Sequence, residues 1–126
     1  MKARFTIPGR LEGLNEMISA ARTHRMRSAQ QKRSETDRVR WIVRAAKVPR
    51  FQRPVRVVLT WVEAHARRDL DNVAAGVKFV LDALVEEGCL PNDGRAHVRE
   101  IMHLFPDPDR HQPRVEIEIE ELEGMP

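Results

Sequence analysis

Short polar side chains crowd one segment near the middle of the chain, Arg67-Arg68-Asp69-Leu70-Asp71-Asn72. It follows a run rich in β-branched residues and precedes a helical pattern, and sites in α/β proteins are built where strands end. Two carboxylates two residues apart do not both ionise at close range without a cation, and oxygen ligands suit Mg²⁺ or Mn²⁺. Asp93, in a later turn, is a candidate third acid. The pattern therefore predicts a divalent-metal site on Asp69, Asp71 and Asp93.

An ordinary structural use of these acids stays open, in which Asp69 or Asp71 caps the next helix and Asp93 serves its turn. On a single helix from Asn72 to about Glu87, Lys78 lies opposite the apolar stripe, on the same side as Asp71 and Asp82. Its stem then leans toward a phosphate at the metal. The alternative is a surface ion pair with Asp82. Asp82 is too far along such a helix from Asp71 to share its metal, and we interpret it as structural.

Other chemistries find little support. The five histidines lack metal-ligand spacing, and Cys89 has no base partner, so we interpret it as a packed thiol. The sequence has no P-loop and no Gly-x-Gly-x-x-Gly motif, and we expect no small-molecule cofactor. A single cysteine excludes a disulfide scaffold and suits a reducing cytoplasm. No apolar run approaches the about 20 residues that span a bilayer, and no signal-peptide core follows the first residues, so we expect no membrane association.

Positive charge is concentrated in one stretch. Between Arg22 and Arg53 lie eleven of the 22 Lys and Arg residues and two acids, a net charge of +9; the other eleven basic and seventeen acidic residues leave −6. We call residues 22–53 the basic stretch. Such a block is typical of a polyanion-binding surface, although a solvated helix or a disordered arm has the same composition. We expect the bound polyanion to be a nucleic acid, because binding to a membrane would also need an exposed apolar face.

The elements that position these residues follow from hydropathy patterns. Alternating hydropathy predicts strands over Lys2–Ile7 and Val115–Glu120, and the second of these has an acidic outer face. A run of β-branched residues predicts an interior strand over Val55–Val62. A further strand is predicted over Val98–Phe105. Helices are predicted after Asn15, from an N-cap at Ser34, and over Asn72–Glu87. Residues 49–54 are predicted to form an exposed loop. We expect one small α/β (α+β) domain over residues 1–126, with a mixed sheet of about four strands and about three helices.

Three segments together resemble one known family: Arg68-Asp69-Leu70-Asp71-Asn72, then Lys78-Phe79-Val80-Leu81-Asp82-Ala83-Leu84, then Gly88-Cys89-Leu90-Pro91-Asn92-Asp93-Gly94. Their order and spacing resemble the RusA family of Holliday junction resolvases, found largely in phages and prophages. The opening Phe5-Thr6-Ile7-Pro8-Gly9-Arg10 and Gly13-Leu14-Asn15 are also similar to members of that family. The similarity therefore runs over most of the chain.

The resemblance implies a homodimeric, Mg²⁺-dependent endonuclease that binds a four-way DNA junction and nicks two opposing strands symmetrically, in recombination and repair in the cytoplasm of a bacterial host. Carried over residue by residue, Asp69, Asp71 and Asp93 match the family's metal-binding carboxylates and Lys78 its catalytic lysine. Six residues separate Asp71 from Lys78 where many members have fewer. Asn92 stands where an acid is usual before Asp93.

We expect the DNA to be gripped by side chains of the basic stretch and of the central motif: Arg25, Arg27, Lys32, Arg33, Arg50, Arg53, Arg67, Arg68 and Asn72. Two other functions are compatible with the same sequence. One is a nuclease of this fold that acts on flaps or other branched DNA. The other is a non-catalytic module that binds junctions and uses Asp69 and Asp71 only as caps.

Overall fold

The computed structural model describes residues 1–124 and has two layers, a four-stranded sheet and the helices that cover one of its faces. Its elements in chain order are β1 (Lys2–Pro8), α1 (Leu14–Thr23), α2 (Arg25–Ala45), β2 (Val55–Val62), α3 (Leu70–Ala74), α4 (Val77–Glu86), β3 (Val98–Leu104) and β4 (Arg114–Glu121). The four predicted strands are confirmed to within one or two residues. None of the helices in these 124 residues is both long and apolar enough to cross a bilayer.

The sheet is mixed, with strand order β1-β4-β2-β3. β4 runs antiparallel to both β1 and β2, whereas β3 is parallel to β2. A parallel pair needs a crossover, and α3 and α4 supply it. β2 and β3 therefore end at the same edge of the sheet, and the segment with Asp69 and Asp71 begins there.

Alternation along the strands decides which sheet face the helices cover. Along β2 the side chains of Val55, Val57, Leu59 and Trp61 are buried against the helices. The opposite face carries Glu116, Glu118 and Glu120 on β4, all half-buried, and Glu118 pairs with Lys2 and Arg4. The acidic outer face predicted for β4 is therefore confirmed, and neighbouring strands partly neutralise it.

The second helix begins well before the predicted N-cap at Ser34, and this prediction was wrong. α2 starts at Arg25, and the N-cap is His24, whose Nδ1 accepts a hydrogen bond from the Arg27 amide at 3.3 Å. Residues 25–33 hold few apolar side chains, so periodicity gives no signal, but Arg, Met, Ala, Gln and Lys are good helix formers. The result is a helix of 21 residues, about 30 Å long.

The third predicted helix is two helices, α3 and α4, separated by Ala75 and Gly76. A Cβ on Gly76 would lie 3.1 Å from Cη2 of Trp61 and 3.2 Å from Cβ of Leu11, closer than ordinary van der Waals contact, so glycine avoids crowding where the chain passes the indole. Asp71 and Lys78 therefore stand on different helices, and the expectation that they share one helix face was wrong. The break between the two helices lies within the long spacing that separates Asp71 from Lys78.

The loop over residues 49–54 is only partly exposed, which corrects the prediction. Phe51 and Pro54 are buried, and Phe51 belongs to the core. The amides of Gln52 and Arg53 donate to Oε2 of Glu121, at 2.7 and 3.1 Å. The side chains of Arg50 and Arg53 remain exposed on this anchored loop.

Replacing Gly76 by alanine should lower the free energy of unfolding by about 1–3 kcal/mol, because the new Cβ overpacks the contact with Trp61. Trp61→Phe removes the two indole atoms that the Cβ would meet, so Gly76→Ala should cost less in that background. Chemical denaturation of the four proteins of this double-mutant cycle measures the coupling. Equal costs in both backgrounds would contradict the contact as the reason for the glycine.

Candidate active site and nucleic-acid interface

Arg68 ties the exit of β2 to the loop before α1. Its Nε and Nη2 donate to the two carboxylate oxygens of Glu63 at 2.7 and 2.8 Å, and its Nη1 donates to the backbone oxygen of Leu11 at 3.2 Å. The side chain is only 10% exposed. The two-pronged pair with Glu63 holds the guanidinium plane in place, as a lysine ammonium would not.

Asn72 holds the start of α1. Gly13 is the N-cap of that helix and has no side chain to offer, and Oδ1 of Asn72 accepts the amide of Asn15 instead, at 2.9 Å. A Cβ on Gly13 would lie 2.5 Å from this Oδ1 and 2.9 Å from Nη1 of Arg68. The DNA-binding role predicted for Arg68 and Asn72 stays a prediction, and the structure gives both side chains a positioning role.

The two central acids are exposed and lie at the start of α3. Asp69 is the N-cap by backbone geometry and accepts the amide of Val73 through its backbone oxygen at 3.1 Å, but its carboxylate makes no capping bond. Asp71 lies in the first turn of the helix. The alternative in which the Asp69 side chain caps the helix was therefore wrong, and both carboxylates are open to solvent.

Lys78 joins α4 to the turn that carries Asp93. Its Nζ lies 3.1 Å from Oδ1 of Asp82 and 3.4 Å from Oδ2 of Asp93. The hydrogen bond with Asp82, followed by the charges of Asp82 and Asp93, raises the pKa of Lys78 above its usual value, so the ammonium keeps its charge. The ion pair with Asp82 that the sequence left open as the alternative is present, and the structure also brings Lys78 to one of the predicted metal ligands.

The three predicted metal ligands are not gathered into one cluster. Within residues 1–124, no three side chains of His, Cys, Asp or Glu lie close enough together to hold an ion. Asn92 turns its Oδ1 to the amide of Gly94, at 2.8 Å, and so serves the turn beside Asp93. The metal site on Asp69, Asp71 and Asp93 stays a prediction.

Acids of α4 and its C-cap neutralise much of the basic stretch. Arg44 and Arg40 bind Glu87, whose pKa falls to about 2 because both guanidinium groups hydrogen-bond to it. Arg33 pairs with Asp37 and Glu86, and Lys32 lies 3.8 Å from Asp82. Arg38 pairs with Glu35 inside α2. The acids on α4 lie about fifty residues away in sequence from the cations that they bind, so a count of charges within the basic stretch did not reveal these pairs.

Six cations of the basic stretch have no salt bridge to any acid in the part of the chain that the structure describes, and all six are exposed: Arg22, Arg25, Arg27, Lys47, Arg50 and Arg53. They form two groups, one where α1 meets α2 and one after the C-terminus of α2. The helix between them is about 30 Å long. We call these groups the two basic ends of α2. Arg67, in the central motif, is exposed as well.

One pair of aromatic side chains was missed from the sequence. Trp61 is buried inside β2, and its Nε1 donates to Nδ1 of His103 on β3 at 2.9 Å, with the rings stacked 5.9 Å apart. Burial lowers the pKa of His103, which keeps Nδ1 free to accept. Cys89, in contrast, is confirmed as a packed thiol: it is buried, and burial raises its pKa.

The carboxyl group of Glu12, in the loop before α1, has a raised pKa. A hydrogen bond with Glu16 and burial, reinforced by the negative charges of Glu16 and Glu35, raise its pKa to about 7. Its Oε2 is buried and has no hydrogen-bond partner in residues 1–124. A neutral carboxyl tolerates such a place better than a carboxylate does.

Comparison with known proteins adds an independent observation. The family model described as RusA, Endodeoxyribonuclease RusA, matches residues 13–120, which include every acid and lysine discussed above as a candidate ligand or catalytic group. A search of curated proteins gave no match.

Removing Arg68 should destabilise the fold, because Glu63 would keep a nearly buried and unpaired charge. We expect Arg68→Ala to lower the free energy of unfolding by about 3 kcal/mol. The neighbouring Arg67 is exposed, and Arg67→Ala should change the free energy of unfolding by less than about 0.5 kcal/mol. Equal effects of the two substitutions, measured by chemical denaturation, would show that the Arg68 contacts do not support the fold.

Glu12→Gln should raise the melting temperature at pH 8 and leave it unchanged near pH 4.5. The raised pKa means that the folded protein keeps this proton up to about pH 7 whereas the unfolded chain releases it near 4.5, so wild-type stability falls between these values. Glutamine stays neutral and avoids that loss, which we expect to amount to a few degrees. Glu123→Gln, at an exposed position, is the matched control. A pH-independent difference between Glu12→Gln and wild type would contradict the raised pKa.

Proposed function

The chain belongs to the RusA family of endodeoxyribonucleases, and we propose on this basis that it is a Mg²⁺-dependent Holliday junction resolvase of phage or prophage origin. In this proposal it recognises a four-way DNA junction and hydrolyses one phosphodiester bond in each of two opposing strands. Recombination and repair are the processes that need this reaction. Its place of action is the cytoplasm of a bacterial host.

The observation that carries the proposal is the contact between Lys78 and Asp93. Fifteen residues and a turn separate them in sequence, and the fold brings Nζ and the carboxylate to 3.4 Å. Lys78 is a charged ammonium on a half-exposed side chain, so it is able to hydrogen-bond to a phosphate oxygen of the bound strand. Contacts with Asp82 and Asp93 restrict the position of the ammonium and therefore the place where that oxygen would bind.

Asp69, Asp71 and Asp93 are the residues that we propose hold Mg²⁺, and to do so they must come closer together than they lie in residues 1–124 of this structure. Their carboxylate oxygens are the donors that this ion takes in proteins, and Asp69 and Asp71 are exposed and free of capping bonds. When bound, the ion supplies an activated water and neutralises charge on the phosphate. The structure supports the availability of the carboxylates, and the coordination remains part of the proposal.

DNA affinity in this proposal comes mainly from the two basic ends of α2. Their six cations have no protein partner among residues 1–124, so they lose no ion pair on binding a phosphate. Lys32 and Arg33, predicted earlier as DNA contacts, would have to leave Asp82, Asp37 or Glu86 first. The contacts are to backbone phosphates and therefore favour the shape of the DNA over its sequence.

A homodimer completes the proposal, because two symmetric nicks need two sites related by a two-fold axis. Ile18 on α1 and Trp41 on α2 are exposed apolar side chains available for such a contact, while Met17 is half-buried against the core. The mass of the protein in solution, measured by light scattering at assay concentration, tests this part of the proposal.

The first test is cleavage of a 5′-labelled synthetic four-way junction, with Mg²⁺ and with EDTA, beside a flapped duplex and a linear duplex. Symmetric nicks near the crossover that need the metal and do not occur in the duplex are expected. Cleavage of the flap in preference to the junction would identify a nuclease for other branched DNA. A stable gel shift without cleavage under any divalent metal would identify a non-catalytic binding module.

Asp71→Asn should reduce junction cleavage by at least about a thousandfold and keep or strengthen junction binding, because it removes a proposed ligand and a negative charge that faces phosphate. The control is Glu123→Gln, which makes the same charge change outside residues 13–120 and should cut at the wild-type rate. Single-turnover cleavage and gel shift measure the two effects separately. Normal cleavage by Asp71→Asn would refute the metal-site proposal.

Replacing both Arg50 and Arg53 by alanine should weaken junction binding and reduce the slope of log K against log salt by about 2, roughly one for each lost phosphate contact. The matched control replaces Arg40 and Arg44, which changes the charge equally but removes cations that are paired with acids. Binding isotherms at several salt concentrations give both slopes. Equal changes in the two double variants would contradict the proposed role of the unpaired cations.

A further inference from the structure

A cavity of about 170 Å³ lies between α1, α2 and α4, next to Lys78. Six side chains line it: Met17 of α1, Ser28, Gln31 and Lys32 of α2, and Lys78 and Phe79 of α4. It is smaller than the about 300 Å³ at which pockets for drug-sized ligands begin, so it has room for one small planar group. Nothing in the proposed reaction uses this cavity.

The lining has three zones of different chemistry. Met17, half-buried, and Phe79, with 1% of its surface exposed, form an apolar floor. Ser28 and Gln31, both half-buried, add a hydroxyl and an amide, which donate and accept hydrogen bonds. Lys32 and Lys78 stand at the rim with about half of each side chain exposed. A nucleotide has a chemical group for each zone. Its base is a flat ring that can lie on the apolar floor, the edge of the base is polar, and its phosphate is close enough to reach the lysines.

The cavity adjoins the place where the proposed reaction occurs. Lys78 forms part of its rim and also lies 3.4 Å from Asp93. Lys32 and Lys78 both lie near Asp82, at 3.8 and 3.1 Å, so the ammonium groups of the rim lie on either helix beside the opening, each about half exposed and within reach of a phosphate. A nucleotide with its phosphate at these lysines would have its base beside the opening.

We propose that this cavity receives a single unstacked nucleobase from the strand that is cut, next to the phosphate held at Lys78. The inference rests on the proposed junction-resolving function. Base pairs next to the crossover of an open junction lack a stacked neighbour on one side, so extruding one of their bases costs less than in a continuous duplex. Capture of the base would thus favour a junction over a duplex, and Gln31 and Ser28 would sense the edge of the captured base.

The test places 2-aminopurine, which fluoresces when it leaves the base stack, at each nucleotide flanking the cleaved bond of a four-way junction. Asp71→Asn protein binds this junction without cutting it. We expect a several-fold rise in fluorescence at one position on binding. Ser28→Met in the same background fills the cavity and should abolish the rise, while Ser34→Met, on the exposed side of the same helix, should retain it. An equal rise in all three proteins, or no rise with fully bound junction, would overturn the proposal.

A second measurement does not depend on the folding of Ser28→Met. An abasic site at the responding nucleotide removes the base but keeps the phosphate, and protein with an intact Asp71 should cut this junction about tenfold more slowly. Gln31→Leu, which keeps the size of the side chain, should reduce differences in rate among the four bases at that position. Undiminished cutting of the abasic junction would overturn base capture.

The two proposals fail in different ways. Rapid cleavage of the unmodified junction without a fluorescence response would refute base capture and leave the resolvase standing. A gel shift and a cavity-dependent rise without any cleavage would keep the captured base and refute the nuclease. Failure to bind the junction at all would refute both.

Discussion

The contact between the indole of Trp61 and Gly76 determines where the central part of the chain lies. Trp61 is held inside the sheet by its neighbours on β2 and by the hydrogen bond to His103 on β3. Because a Cβ at Gly76 would crowd the ring, glycine lets the chain pass close against it, and a new helix begins one residue later. The start of α4 thus has a fixed position relative to the sheet. Lys78 is the second residue of that helix, so its reach to Asp93 depends on a packing contact and not on helix periodicity.

Opposite charges on α2 and α4 shape the surface that we propose faces DNA. Glu86 and Glu87 take up Arg33, Arg40 and Arg44, and these pairs link the two helices. Exposed ion pairs add little stability, so their main effect is on the distribution of charge. They neutralise the middle of a strongly basic helix and leave its two ends positive. A charge total of +9 therefore overstates the continuous positive surface and conceals where the unpaired cations lie.

The sequence was sufficient for features that depend on neighbouring residues. Alternation and one β-branched run, each only a few residues long, predicted the four strands, and the Asp-x-Asp-Asn and Asn-Asp segments indicated which side chains to consider. Features that depend on distant partners were missed: the helix break at Gly76 is set by Trp61, and the capping of α1 by Asn72 joins positions 57 residues apart. Ser34 looked like an N-cap because serine favours that position, yet strong helix formers on both sides of it carry α2 through.

The strand order has a consequence for how the protein assembles during synthesis. β4 lies between β1 and β2, although it is the last of the four strands in the chain. Until residues 114–121 leave the ribosome, the hydrogen-bonding edges of β1 and β2 that β4 will occupy have no partner, and β2 is rich in valine. Open edges of this kind pair readily with other chains. The nascent protein therefore passes through a stage exposed to aggregation, and arrival of the glutamate-rich β4 ends it by closing both edges at once.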